Sequence, residues 1–458
     1  METKRKRCPN GSRKNKKTGK CDPIPTRAVT SKIRSPTKTP NYHANIIQRF
    51  MKKTKHARIS NFLTNVCSES GVCIAFGKEI QKIKDFFGGF DLMYVKDPIQ
   101  RIGSVSSNGF VNEIKFTHKG YDSYAVLKSA STMRADNLMY EYRVGQFLNK
   151  MSLLYPCFIE TYSLFKYNND GWNYSKKNRL IDASIFKTFL TPQPYDLIAA
   201  CKSSKYIAVL LQHLKNAITI RYLIDIGNVS LNYEFLTLLY QVYFVLDQMK
   251  DIFTHYDLHA ENVLLYEPSP TKYIQYHYHS DTIITFKSIY VAKIIDYGRC
   301  YFKDGNSSQP FQTDVCMVKE CNTKKSGKCG TSVGFGWLYP PVHFHVNSSA
   351  RNKSHDLLLV HRVLKRITIK PVLLPEIGAV IQDMTINLIY RGGTEYGTPE
   401  KINCPNKICT VSDMRKRLEF YMNLVDLDGM FNQFYYNRTK LGDMHVYSDG
   451  RPLQFIES

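Results

Sequence analysis

A polar loop set between two strongly apolar stretches constrains this chain more than any other feature. Phe253-Thr-His-Tyr-Asp-Leu-His-Ala-Glu-Asn-Val-Leu-Leu265 follows a long apolar run, Tyr233 to Met249, and leads into a second one, Asn262 to Tyr266. The first run has the length and spacing of a buried helix, the second those of a buried strand. A loop anchored at both ends in a core is rigid enough to hold a base against a hydroxyl and an amide oxygen against a metal. Asp257 and Asn262, five residues apart, are the groups it offers. Further on, the apolar run Val291 to Ile295 ends in Asp296-Tyr297-Gly298. An acid at the mouth of a strand, followed by a small flexible residue, suits a magnesium ligand.

The remaining pattern predicts an α+β protein. Ile114 to Phe116, Tyr124 to Leu127, Phe158 to Phe165, Tyr206 to Leu211 and Tyr290 to Ile295 read as strands, and Leu138 to Met151 has helical spacing. From Asp356 to Leu364 onward the pattern is mainly helical. A strand-rich first half and a helix-rich second half predict two packed lobes. With 458 residues, 43% of them hydrophobic, the chain can bury a sizeable core. No stretch approaches the ~18 consecutive apolar residues of a membrane span, and no apolar segment follows the basic N-terminus as in a secretory signal. The expectation is an intracellular protein without membrane insertion, whose twelve sparse cysteines are reduced thiols.

Charge is unevenly spread. Residues 1–60 hold 18 Lys+Arg against Glu2 and Asp22, a net of +16, so the other 398 residues carry only +8 of the total +24. The first 40 residues show no apolar period and read as a disordered basic arm. Such an arm can bind nucleic acid or another acidic partner, serve as a localisation signal, or stay a solvated tail.

His255-Tyr256-Asp257-Leu258-His259-Ala260-Glu261-Asn262 resembles the catalytic loop H-R-D-L-x-x-x-N of the protein kinase superfamily, and Asp296-Tyr297-Gly298 resembles its D-F-G. Upstream, Tyr124-Ala-Val-Leu-Lys128 resembles V-A-I-K, and Glu141 lies on the helical segment where the family carries its paired glutamate. Ile102, Gly103, Ser104, Val105, Ser106, Ser107, Asn108, Gly109, Phe110 and Val111 stand where its glycine loop would be. The resemblance spans roughly residues 95–440, and five elements in the family's order are far harder to obtain by chance than one.

The resemblance implies a bilobal kinase-like fold. It would comprise a basic arm (1–60), an N-terminal extension (61–94), a strand-rich lobe (95–213), a helical lobe with insertions (214–440) and a tail (441–458). ATP with Mg2+ or Mn2+ would sit in the cleft. Lys128 would contact the α/β-phosphates and pair with Glu141. Asn262 and Asp296 would hold the metal, and Asp257 would accept the proton of the attacking hydroxyl. Residues 102–111 would cover the phosphates, and Gln212, His213 and Leu214 would receive the adenine. Asp356 would brace the catalytic loop from below. The implied activity is that of a divergent Ser/Thr protein kinase acting on protein substrates.

The sequence departs from the family in several places. Ser104 and Ser106 occupy expected glycine positions, Tyr256 replaces the loop arginine, His259 stands where lysine is usual, and 34 residues separate Asn262 from Asp296. Gly336-Trp-Leu-Tyr-Pro-Pro341 is the nearest substitute for A-P-E. His255-x-Asp257-Leu258-His259-x-x-Asn262 matches the loop of small-molecule kinases of the aminoglycoside or choline type more closely, so that reading stays open, as does a pseudokinase scaffold. Cys300, Cys316, Cys321, Cys329, Cys404 and Cys409 lack the two matched pairs of a structural zinc site. The segment Cys8 to Cys21 resembles short basic stretches in proteins of large cytoplasmic DNA viruses, which would imply a viral kinase acting in an infected cell or packaged in the particle.

Overall fold

The computed structural model describes residues 12–15, 17–18, 20, 21–23, 62–63, 73–102, 109–130, 136–168, 183–191, 206–227, 230–305, 335–339, 342–346, 351–367, 373–390 and 405–458. The chain falls into two compact units, Met1–Arg58 and Ile59–Ser458. In the first, β1 (Ser12–Lys14) and β2 (Cys21–Pro23) form an antiparallel hairpin with Lys14 opposite Cys21. A short hairpin thus stands inside the arm expected to be disordered. Cys21 is disulfide-bonded, and a covalent tie lowers the entropic cost of ordering a segment too polar to bury a core.

The second unit is a mixed α+β structure. It opens with α1 (Ile80–Phe86) and continues into β3 (Val95–Ile102), β4 (Gly109–His118) and β5 (Tyr121–Ala130). After α2 (Asp136–Met151) come β6 (Thr161–Tyr167) and β7 (Tyr206–Gln212), giving an antiparallel sheet of order β3-β4-β5-β7-β6. The β4–β5 hairpin turns at Lys119 (φ 48°) and Gly120 (φ 85°), two successive left-handed residues whose twist matches that of the flanking strands. Period-two alternation sorts the side chains of β5. Ala125 and Leu127 enter a core with Phe110 and Phe116, while Val126 and Lys128 face the opposite side and line a cavity. Helix α2 crosses that second face closely at Gly145, where a Cβ would fall 2.0 Å from Thr161 Oγ1.

β8 (Ile218–Thr219) and α3 (Ile220–Asp225) lead to α4 (Leu231–Gln248), which is buried from Leu231 to Asp247 on every side. A helix apolar all round belongs in the middle of a core, as the sequence pattern anticipates. Six strands follow: β9 (Phe253–Thr254), β10 (Val263–Tyr266), β11 (Lys272–His279), β12 (Ile283–Ser288), β13 (Val291–Ile294) and β14 (Tyr301–Phe302). β15 (Phe335–Tyr339) pairs with β16 (Val342–Val346). The helices α5 (Leu358–Ile367), α6 (Pro375–Asn387), α7 (Val411–Leu424) and α8 (Leu427–Tyr435) come next, before β17 (Thr439–Tyr447) and β18 (Gln454–Glu457).

Three sequence expectations need revision. The second half is not helix-rich until after residue 351, because residues 253–302 run through six strands. The long interval between Asn262 and Asp296 is filled by the β11–β12 hairpin, which joins a sheet of order β12-β11-β17-β18 in which β11 and β17 run parallel. β17 therefore crosses the point at which a separate tail was expected to begin. Finally, Cys73 and Cys409 are disulfide-bonded like Cys21, whereas Cys157 and Cys300 are free and buried. Sparse cysteine usage does not reveal which thiols a fold brings together. Among the described residues, no helix is long and apolar enough to cross a membrane.

Candidate functional site

Two loops leave one short ladder, and that ladder builds the site. β10 pairs antiparallel with β13, and Val263, the residue after Asn262, lies opposite Ile294, two residues before Asp296. The Ile295 amide donates to the Asn262 carbonyl at 3.0 Å, so the ends of both loops are fixed to each other. They open into a cavity of about 490 Å³ whose upper wall comes from β3, β4 and β5 (Ile102, Phe110, Val111, Val126) and whose lower wall is Leu264 and Ile295.

The polar groups sit at one end. Lys128 Nζ donates to Glu141 Oε2 at 2.7 Å and to Asp296 Oδ1 at 2.9 Å. Glu141, on α2, is 1% exposed. Burial opposes the charge of Lys128, but the Asp296 and Glu141 carboxylates outweigh it and hold the ammonium above its ordinary pKa. In return Lys128 draws Asp296 down to about 2, so Asp296 is ionised at neutral pH. Its backbone sits at φ 69°, a left-handed conformation uncommon for a residue with a side chain and worth noting at a site. The next residue holds it there. The Tyr297 hydroxyl donates to the Ile294 carbonyl at 2.7 Å and accepts from the Ile159 amide at 3.1 Å, two bonds that phenylalanine could not make.

The loop 255–262 is braced from below. Buried Asp356 accepts the His255 amide on Oδ2 (2.8 Å) and the Tyr256 amide on Oδ1 (3.0 Å). Burial pushes its carboxyl up to about 7 against those two bonds. Tyr256 has φ 63° and packs edge-on against His355, with ring centroids 4.7 Å apart. His255 Nε2 donates to the Ile295 carbonyl (2.9 Å), and its Nδ1 accepts the Asp257 amide (3.3 Å). Acceptance at Nδ1 requires the neutral ring, and burial lowers His255 to about 4. Asn262 Nδ2 donates to the Asp257 carbonyl at 2.9 Å, which leaves Oδ1 as the end of the amide suited to a cation.

Asp257 is 7% exposed. Its Oδ2 accepts from Arg299 Nη1 at 2.8 Å, while Oδ1 makes no hydrogen bond. Burial raises this carboxyl to about 7, with Arg299 acting in the opposite direction. Such a group can gain and lose a proton near neutral pH. His259 Nε2 lies 3.9 Å from Asp257 Oδ1. Burial and then Arg362 lower the imidazole to about 4, so it is neutral where a lysine would be charged.

The cavity thus brings together Lys128, Glu141, Asp257, Asn262 and Asp296, with Ile102, Gly109, Phe110 and Val111 in its wall and Gln212, His213 and Leu214 at its far edge. Gly103, Ser104, Val105, Ser106, Ser107 and Asn108 lie outside the described residues, as do Cys316, Cys321, Cys329 and Cys404. The expected adenine edge is narrower than the three residues suggest. The Gln212 amide is taken by Glu160 O (2.7 Å) and the His213 amide by Tyr124 O (3.3 Å), leaving the Leu214 amide as the candidate donor. The His213 ring is engaged too. It contacts Glu113 at 2.9 Å, and Lys215 reaches the same carboxylate at 2.5 Å, so His213, burial notwithstanding, leads in drawing Glu113 down to about 2.

Sequence reasoning missed Arg299, although it directly follows Gly298 and a cation next to the acid-bearing loop was visible. No family model matches this chain, and no curated protein matches it.

Proposed function

We propose that this chain is an ATP-dependent phosphotransferase with a bilobal, protein-kinase-like architecture, acting on serine or threonine hydroxyls of proteins. One observation carries the reading: Lys128, held by Glu141 and Asp296, shares a 490 Å³ cavity with Asp257, whose Oδ1 is buried and unbonded. A polyphosphate needs a fixed cation, and an attacking hydroxyl needs a base with a free acceptor atom. The five-stranded sheet would form the upper lobe, and the part around α4 the lower.

In this reading Lys128 binds the α/β-phosphates, and the apolar walls hold the base of the nucleotide. Asp257 orients the acceptor hydroxyl and takes its proton. The acceptor oxygen bonds to the γ-phosphorus as the bond to the bridging oxygen breaks, and ADP leaves with that electron pair. The ionised Asp296 carboxylate and Asn262 Oδ1 are hard oxygen donors that fit magnesium or manganese. A divalent ion bound there would neutralise phosphate charge.

Magnesium-dependent binding of ATP to the purified chain, followed by calorimetry, tests the reading. Binding should weaken strongly in Lys128→Met and lose its magnesium dependence in Asp296→Asn. Absence of ATP binding to the intact chain would overturn it.

A further inference from the structure

We infer that the first compact unit of the chain binds double-stranded nucleic acid along its phosphate backbone, with the β1–β2 hairpin presenting a fixed, lysine-bearing loop. The inference goes beyond phosphotransfer and does not depend on it. Residues 1–23 hold nine Lys+Arg against Glu2 and Asp22, a net of +7. Five of the nine (Arg13, Lys14, Lys16, Lys17 and Lys20) fall between Ser12 and Pro23, where β1 and β2 pair. The loop end of the hairpin is closed by the Asn15 amide, which donates to the Lys20 carbonyl at 2.8 Å. Asn15 Oδ1 in turn accepts the Lys17 amide at 2.9 Å, a side-chain turn that fixes the loop backbone. The disulfide at Cys21 ties down the returning strand. Lys17 and Lys20 are exposed and form no ion pair among the described residues. A folded loop holds such charges at set spacings, so less freedom is lost when they meet a regular array of anions.

Composition selects among the polyanions. Protein interfaces are anchored by aromatic, aliphatic or arginine side chains in desolvated pockets and are depleted in lysine. Residues 1–23 contain no Leu, Ile, Val, Phe, Tyr or Trp, and six of their nine cations are lysines. Single strands are gripped by bases stacked on aromatic rings, and the first aromatic residue here is Tyr42. A segment that lies on a membrane buries apolar side chains beside its cations, and this stretch has none to offer. The duplex remains. It carries one charge per ~1.7 Å of axis, and lysines gain there by releasing condensed counterions whatever the base sequence.

The test follows the fluorescence anisotropy of a labelled duplex of about 20 bp with the full chain, without nucleotide, between about 50 and 200 mM salt. The logarithm of the binding constant should fall linearly with the logarithm of salt concentration. In Lys17→Gln/Lys20→Gln the slope should become shallower by about 2, one unit per lost contact, and binding at ~100 mM salt should weaken roughly tenfold or more. Lys187→Gln/Lys416→Gln removes the same charge from exposed positions of the second unit and should leave affinity within about twofold. Duplex DNA and duplex RNA serve as separate probes, and the one bound more tightly is assigned as the partner. Equal losses in the two variants would show that net charge alone matters and would overturn the inference. It would also fall if a single strand of the same length, a polyglutamate peptide or phosphatidylserine vesicles bound as tightly as the duplex, or if the duplex did not bind. No outcome involves ATP, so the phosphotransfer reading stands or falls separately.

Discussion

Two groups of histidines, one in the loop 255–262 and one on the sheet of β11 and β17, separate what burial does from what exposure does. In the loop 255–262, His255 is fully buried, each ring nitrogen has one backbone partner, and the ring is neutral by construction. On the sheet of β11 and β17, His277, His279 and His445 stand in register on one partly exposed face. The rings of His277 and His445 stack at 4.5 Å, His279 contacts His445 at 3.0 Å, and His277 contacts Asp443 at 2.9 Å. Buried polar groups must be satisfied one by one, so each fixes the position of the next. The exposed row has water as an alternative partner and constrains nothing but its own strands. The buried loop is thus tied group by group, whereas the sheet is tied through its other face, where Tyr276, Tyr278 and Val446 enter the core.

The sharpest way to break this comparison is at Lys128. Lys128→Met should lower phosphate transfer by roughly 10²–10³-fold, the usual cost of losing one preorganised electrostatic contact, read as initial rate at saturating ATP. A loss of less than about tenfold would mean that the buried cluster is structural only.

Asp356→Ala comes next. It strands the amides of His255 and Tyr256, and each unsatisfied buried group costs about 1–3 kcal/mol. Denaturant unfolding should show a stability loss of that order, and activity should fall with it. If activity survives unchanged, the brace does not position Asp257.

The third effect is on pH. In the proposed reaction Asp257 would act as a base when ionised, and burial raises its carboxyl to about 7. The kcat/KM profile should therefore fall on the acid side with an apparent pKa near that value, because kcat/KM reports groups of the free enzyme. An acid limb near the ordinary carboxylate range would show that Asp257 is solvated in solution.

The smallest effect belongs to the exposed row. Burial lowers the pKa of His279 and His445 below the ordinary histidine value. A depressed pKa stabilises the fold above the unfolded-state value of about 6.5, and that contribution is lost as pH falls through the folded value. Hydrogen-exchange protection, corrected for the intrinsic pH dependence of amide exchange, should fall between pH 7.5 and 5.5 in β11 and β17 and stay unchanged in β10 and β13. An equal loss of protection in both ladders would erase the distinction drawn between the two regions.

What was legible in the sequence follows the same division. Asp257, Asn262 and Asp296 could be picked out because they stand beside strongly apolar runs, Lys128 and Glu141 because the family resemblance implied where to look, and the structure gathers all five around one cavity. Helix α4 was legible because a run apolar on all sides has few other places to go. The pairing of β11 with β17 was not, since His277 and His445 are 168 residues apart and no local pattern encodes a parallel register over that distance. Arg299 was passed over because an arginine beside a loop looks like any solvated cation until its partner is seen. That the Gln212 and His213 amides go to Glu160 and Tyr124 was not legible either, because backbone engagement leaves no trace in side-chain identity.

The most direct measurement is transfer of label from γ-labelled magnesium-ATP by the intact chain and by Asp257→Asn, with the labelled residue mapped. The account predicts phosphoserine or phosphothreonine with the intact chain, and a drop of about 10²–10⁴-fold in the variant, the range expected for loss of a general base. Equal labelling by the two proteins, or none by the intact chain across protein acceptors, would contradict it.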